Sequence, residues 1–191
     1  MGDNDQWLLL VYTLPAEPSR GRVAVWRRLK KLGAVSALQS VWVLPNQPHF
    51  RQQFELLQTE IEGLGGEAFI LSATALTQAG DKKIGSIFND ARNPEYEEII
   101  EKCRDFLVEI ENETTKKNFT FAEVEENEEE LTKLTSWYVK VANRDFFQCP
   151  KRKEVEPLLA ECNQRLQEFS HKVYSLNLDI NFMEKEDEQD V

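Results

Sequence analysis

The chain is poor in the residues that most often carry chemistry. It has three cysteines (Cys103, Cys149, Cys162) and two histidines (His49, His171) among 191 residues. An odd, sparse cysteine set does not make a disulfide scaffold. No pair of these residues has zinc-site spacing such as C-x2-C or H-x3-H, so no metal site is expected. There is no Gly-rich phosphate loop, no G-x-S-x-G and no H-E-x-x-H, so neither a cofactor nor a catalytic centre is expected. No run approaches the roughly 20 apolar residues of a membrane span. The first apolar stretch, Trp7–Val11, follows Asp3 and Asp5 rather than the basic start of a secretory signal. A reducing cytoplasm is therefore the expected location, and no membrane partner is expected.

Charge is present but lopsided. The formal net charge is -11, which opposes a general coat of nucleic acid or anionic lipid. Residues 1–79 balance seven acids with seven bases, so the whole excess falls on residues 80–191. With 41% hydrophobic residues, a chain of this length buries a real core.

The first part alternates strands and helices. Trp7–Leu14 is a continuous apolar run closed by Pro15, which reads as a central strand. Ser19 is the expected N-cap of a helix over Arg20–Leu32, with Val25, Leu29 and Leu32 on one face and Gly33 as C-cap. Val35–Leu38 and Val41–Leu44 read as two short strands. Phe50, Phe54, Leu57 and Ile61 mark a second helix, and Ala68–Leu71 a fourth strand. The order βαββαβ is the ferredoxin-like pattern, in which helices cover one face of the sheet and something else must cover the other. A short helix is expected near Lys82–Asn89, then a helix starting at Asn93-Pro94-Glu95 and ending before the polar break Asn112–Asn118. Two more follow, one over Leu131–Val141 behind the acidic run Glu123–Glu130, and one over Val155–Val173. The expected fold class is α+β: a ferredoxin-like module (1–79), an antiparallel helical bundle (80–183) and a disordered acidic tail (184–191).

Three places invite a functional reading. The helix Arg20–Lys31 is the first. At about 100° per residue, Arg20, Arg27 and Lys31 fall within roughly 40° of one another, flanked by Arg28 and Lys30. Such a stripe can track phosphates; the plainer reading is a solvated helix face. The second is Arg22, expected on the apolar side, where a guanidinium needs a carboxylate, a carbonyl or a bound anion. Arg92, Arg144 and Arg152, with Asp145, are candidates for the same anion-binding or ion-pair network. The third is Cys149, ahead of Pro150 and Lys151-Arg152-Lys153. A helix start and nearby cations lower a thiol pKa and make Cys149 a redox candidate; the plainer reading is a turn with Phe146 and Phe147 plugged into a core.

The run Trp7-Leu-Leu-Leu-Val-Tyr-Thr-Leu-Pro15, then Arg20-x-Arg-Val-x-Val-Trp-Arg-x-Leu-Lys-x-Leu-Gly33, then Val41-Trp-Val-Leu-Pro45, resembles the N-terminal part of the ChrB family of bacterial chromate-resistance proteins. Asp90-Ala-Arg92 with Tyr96, and Arg144-Asp-Phe-Phe147 with Pro150, are similar to the same family. The resemblance covers roughly residues 7 to 175. It implies a cytoplasmic, chromate-responsive transcriptional regulator that binds promoter DNA. Arg20, Arg27, Arg28, Lys30 and Lys31 are the residues expected on phosphates, chromate or another oxyanion is the expected effector, and a homodimer the expected assembly. The first half also looks like the ferredoxin-like module of PaaX-type repressors and of CRISPR-associated nucleases. The latter place an acid at the end of the first strand, where this chain has Tyr12 and Thr13, so nuclease activity does not carry over. Typical ChrB proteins continue into a second domain, so a free-standing N-terminal module is expected here. The rival expectation is a module without DNA contact that senses an oxyanion or partners a separate C-terminal domain.

Overall fold

The computed structural model describes residues 6–187, with side chains as far as Asn177. Its elements are β1 (Trp7–Thr13), α1 (Ser19–Leu32), β2 (Val35–Leu38), β3 (Val41–Pro45), α2 (Pro48–Gly63), β4 (Glu67–Ala73), α3 (Gln78–Lys116), α4 (Phe121–Ala142) and α5 (Arg152–Asp187). The class is α+β, as the sequence predicts: a βαββαβ module followed by long helices.

The chain divides into two compact units, Met1–Arg92 with Asn143–Cys149, and Asn93–Ala142 with Pro150–Val191. The sheet unit thus extends past residue 79 to Arg92 and takes back a short segment from the helical region. Of the acidic tail expected over 184–191, α5 takes in residues as far as Asp187; residues 188–191 lie outside the described residues.

In the first unit the sheet order is β2-β3-β1-β4, and every neighbouring pair is antiparallel. β1 is central because it is apolar on both faces. Its alternate residues Leu8 and Leu10 turn to the side of α1 and α2, where they pack with Val25, Leu29, Phe50, Phe54, Leu57 and Ile61. The other face carries Trp7, Val35 and Val43, which pack against Phe88, with Ile84, Ile87 and Ala91 alongside. The first part of α3 is therefore what covers that end of the second face. The Trp7 indole N–H donates to Asp81 Oδ1 at 2.9 Å and ties the strand to the same helix. Toward the far end of this face Leu38, Phe69 and Leu71 stay exposed.

Several boundaries differ from expectation: Pro18 rather than Ser19 is the N-cap of α1, and α3 ends at Lys116, inside the polar break. Asn93-Pro94-Glu95 is not a helix start: α3 begins at Gln78 and runs through Pro94. Thr77 supplies the start, its Oγ1 accepting the Gly80 N–H at 3.1 Å. A proline inside a helix removes one backbone bond and costs about 3 kcal/mol. Burying one residue such as Phe88 or Ile99 returns about 1.5–3 kcal/mol, and α3 buries several on each side of Pro94. Likewise the acidic run 123–130 belongs to α4 rather than preceding it, with Thr120 Oγ1 accepting the Glu123 N–H.

The second unit is a three-helix bundle of the later part of α3, α4 and α5. Phe121 meets the Tyr174 ring and Tyr138 meets Glu156, so α4 and α5 run antiparallel. Glu97 pairs with Lys151 and Cys103 meets Cys162, so α3 and α5 run parallel. The core is Tyr96, Ile99, Cys103, Phe106, Leu131, Leu134, Val155, Leu166 and Phe169 with their neighbours.

Candidate nucleic-acid interface

α1 holds no acidic residue. Its buried stripe is Val25 and Leu29. Arg20, Arg27 and Lys31 are exposed on the opposite side, and Lys30 is half-buried. None of these four has a carboxylate partner among the described residues. Arg28 differs from the expectation of a phosphate contact: its Nη1 donates to Glu60 Oε2 of α2 in an exposed ion pair. Position explains the difference, since Arg28 lies on the flank of α1 that faces α2.

Two apolar residues share the basic surface. Trp26 is 49% exposed and Val23 42% exposed. Neither stands out from the apolar repeat of α1 by residue type, yet helical spacing gives the signal. Trp26 lies about 60° beyond Leu29, on the side away from Val25, outside the buried stripe.

Arg22, expected on the apolar side, is exposed. It lines a shallow cleft with Tyr12, Thr13, Leu14, Ser40 and Trp42. Burial pushes the Tyr12 phenol above its usual range, and a hydrogen bond with Trp42 partly offsets this. Arg144 sits at the other end of α1. Its Nη1 donates to the Lys30 carbonyl at 3.1 Å, a cation on a helix C-terminus. Gly33 closes the helix there with φ 83° and donates its N–H to the Leu29 and Lys30 carbonyls. Lys30 is eight residues, about 12 Å, along the helix from Arg22, so Arg22 and Arg144 do not share one anion site.

Arg92 is fully buried and Asp145 nearly so. Both carboxylate oxygens of Asp145 accept the Cys149 N–H, at 3.0 and 3.1 Å, so the acid holds the turn 145–149. The Cys149 thiol is buried and points at the Asn89 carbonyl, 3.8 Å away. A thiol donating to a carbonyl inside a core is the opposite of the exposed thiolate a redox role needs. Phe146 and Phe147 flank it, packed against Phe50, Phe88 and Trp7.

Arg152 belongs to the second unit. Its Nε donates to Tyr138 Oη and to Glu156 Oε1, each at 3.2 Å. The hydrogen bond from Tyr138, then that from Arg152, holds the Glu156 carboxyl below its usual range. Cys103 and Cys162 are buried core residues, as expected, and hydrogen-bonded to each other. That hydrogen bond, then burial, keeps Cys162 protonated. Among the described residues no group of His, Cys, Asp and Glu is arranged to hold a metal ion, and no helix is long and apolar enough to cross a membrane. Chemically, α1 offers cations, one aromatic plane and no acid of its own, with Glu60 of α2 against its Arg28 flank, which suits a polyanion away from that flank.

A family profile described as "Protein ChrB, N-terminal" matches residues 22–180. The chain is also 34% identical over 92 residues to the Protein ChrB of Cupriavidus metallidurans. That match takes in 48% of this chain and 28% of the relative, so the chain spans well under two thirds of the relative's length.

Proposed function

The chain belongs to the family of ChrB N-terminal domains, and on that premise we propose that it is a chromate-resistance-associated, cytoplasmic protein that acts as a DNA-associated regulator. One observation carries the DNA part of the reading. Arg20, Arg27, Lys30 and Lys31 line a helix that contains no acid, in a unit whose formal charge is +1 while the other unit carries -12. The acidity that opposes DNA binding therefore belongs to the helical unit. Arg28 is left out of the phosphate set because Glu60 already pairs with it.

The test is a fluorescence-anisotropy titration of the full chain with DNA from upstream of its own gene, across a salt series. Four cations on phosphates give a slope of log K against log salt of about -4 per chain. Reversing Arg20, Arg27 and Lys31 to glutamate is expected to abolish binding. Binding that is absent at low salt, or that does not change with salt, overturns the reading. One observation favours a second reading, a module that docks a protein partner: the exposed Leu38, Phe69 and Leu71 on the open sheet face. That reading is favoured if charge reversal on α1 changes nothing while substitutions on this face abolish function in the cell.

A further inference from the structure

The phosphate stripe does not explain Trp26. An indole left 49% exposed among cations gains nothing from phosphate contacts alone. A half-exposed indole presents a flat face to a stacking partner. Its neighbours on α1 at helical spacing are Arg22 and Val23 one turn before and Lys30 one turn after.

The surface next to it is concave. Tyr12, Thr13, Leu14, Arg22, Ser40 and Trp42 line a shallow, open cleft of about 310 Å3, at the low end of the range for small-molecule sites. Arg22 stands on its wall, about 6 Å along the helix axis from Trp26. Tyr12 and Trp42 line the cleft from the sheet side. The cleft thus joins an aromatic wall, a hydroxyl from Ser40 and a guanidinium.

From these features we infer that the α1 face binds single-stranded nucleic acid, with one unpaired base stacked on Trp26, its neighbour at the Arg22 cleft, and the backbone phosphates on Arg20, Arg27, Lys30 and Lys31. The inference rests on the DNA-associated reading and narrows its ligand. Charge complementarity selects a polyanion, because every charged residue of α1 is basic. Stacking selects unpaired bases within that class, because a duplex keeps its base faces inside the helix whereas a single strand offers them to an aromatic plane. An acidic protein segment would match the charge but would leave the indole without a flat partner.

The experiment uses the full chain, a 15-nucleotide oligothymidine and a 15-base-pair duplex of mixed sequence at low salt. Tryptophan fluorescence and anisotropy are followed in the wild type, Trp26→Ala, Trp26→Phe and Arg27→Ala. The single strand is expected to bind at least tenfold tighter than the duplex and to quench fluorescence, with the Trp26 contribution missing in Trp26→Phe. Trp26→Ala is expected to weaken single-strand binding about tenfold and to leave duplex binding within about twofold. Trp26→Phe, which keeps a ring, is expected to recover most of the loss, and Arg27→Ala to weaken both forms. Equal affinity for the two forms, or single-strand binding unchanged in Trp26→Ala, overturns the inference while leaving the DNA-associated reading standing. Failure of both forms to bind at low salt removes that reading and the inference with it. Loss of self-association in Trp26→Ala, with neither nucleic acid bound, assigns the face to a protein partner instead.

Discussion

Gly33 shows how much one residue can hold at the end of α1. Its φ of 83° lies in the left-handed region, where a side chain costs about 1 kcal/mol. An added Cβ would also stand 2.9 Å from Arg144 Cβ and 3.2 Å from the Phe146 ring. Gly33→Ala is therefore expected to lower stability by about 2 kcal/mol in urea denaturation, more than a loop substitution of equal size elsewhere. Glu156 is a second case. Its folded pKa lies below the usual value because Tyr138 and Arg152 hydrogen-bond its charged form. The stability from that bond is present above the ordinary glutamate pKa and is lost as pH falls through the lowered folded value. In Glu156→Gln stability is expected to fall on the neutral side and to approach that of the wild type in acid, so that the pH–stability curve flattens below about pH 4.5, read by urea denaturation across pH.

At the scale of the element, α1 separates its tasks by face. Leu29 is fully buried and Arg27 is exposed, two residues apart. Leu29→Ala is expected to cost about 3 kcal/mol of stability, read by denaturation, with nucleic-acid affinity unchanged wherever the protein is still folded. Arg27→Ala is expected to shift stability by less than about 0.5 kcal/mol and to weaken nucleic-acid binding with a shallower salt slope. A result in which both variants lose stability alike would contradict the division of faces. In α3 the same logic explains why a helix passes through Pro94. The start signal Asn93-Pro94-Glu95 is sound local chemistry, but Ile84, Ile87 and Phe88 before it and Tyr96, Ile99 and Cys103 after it are all packed. Burial on both sides outweighs one lost backbone bond.

Over the whole molecule the charge division is the dominant feature. The helical unit carries -12, and its acids repel one another. Burial first, then Glu130, Glu126, Glu113 and Glu123, raise the folded pKa of Glu109 above its usual value. For a raised acid the sign is opposite to that of Glu156: stability increases as pH falls through the folded value, because the native state binds the proton more tightly. Glu109→Gln is expected to raise stability at pH 7 by a few tenths of a kcal/mol, with less gain in high salt. Added salt is expected to stabilise the wild type on the same ground while it weakens nucleic-acid binding. The two salt effects, measured by thermal unfolding and anisotropy, are predicted to have opposite signs.

Much of this protein is legible in its amino-acid order alone. The apolar run of β1, the 3.6-residue spacing of Val25, Leu29, Phe54, Leu57 and Ile61, and the order βαββαβ follow from residues close together in the chain, because strand and helix periods are local properties. The basic stripe of α1 is legible for the same reason, as is the placing of the negative charge late in the chain. What needed tertiary structure was pairing at a distance. Nothing in the sequence says that Arg28 is taken by Glu60 of α2, that Arg144 closes the end of α1, or that residues 143–149 return to the sheet unit with Cys149 inside it. Those outcomes depend on which surfaces meet once the chain is compact. Trp26 lies between the two cases: its spacing places it off the buried stripe, but only the folded surface shows it standing half-exposed beside the Arg22 cleft, because exposure depends on what the rest of the chain leaves uncovered.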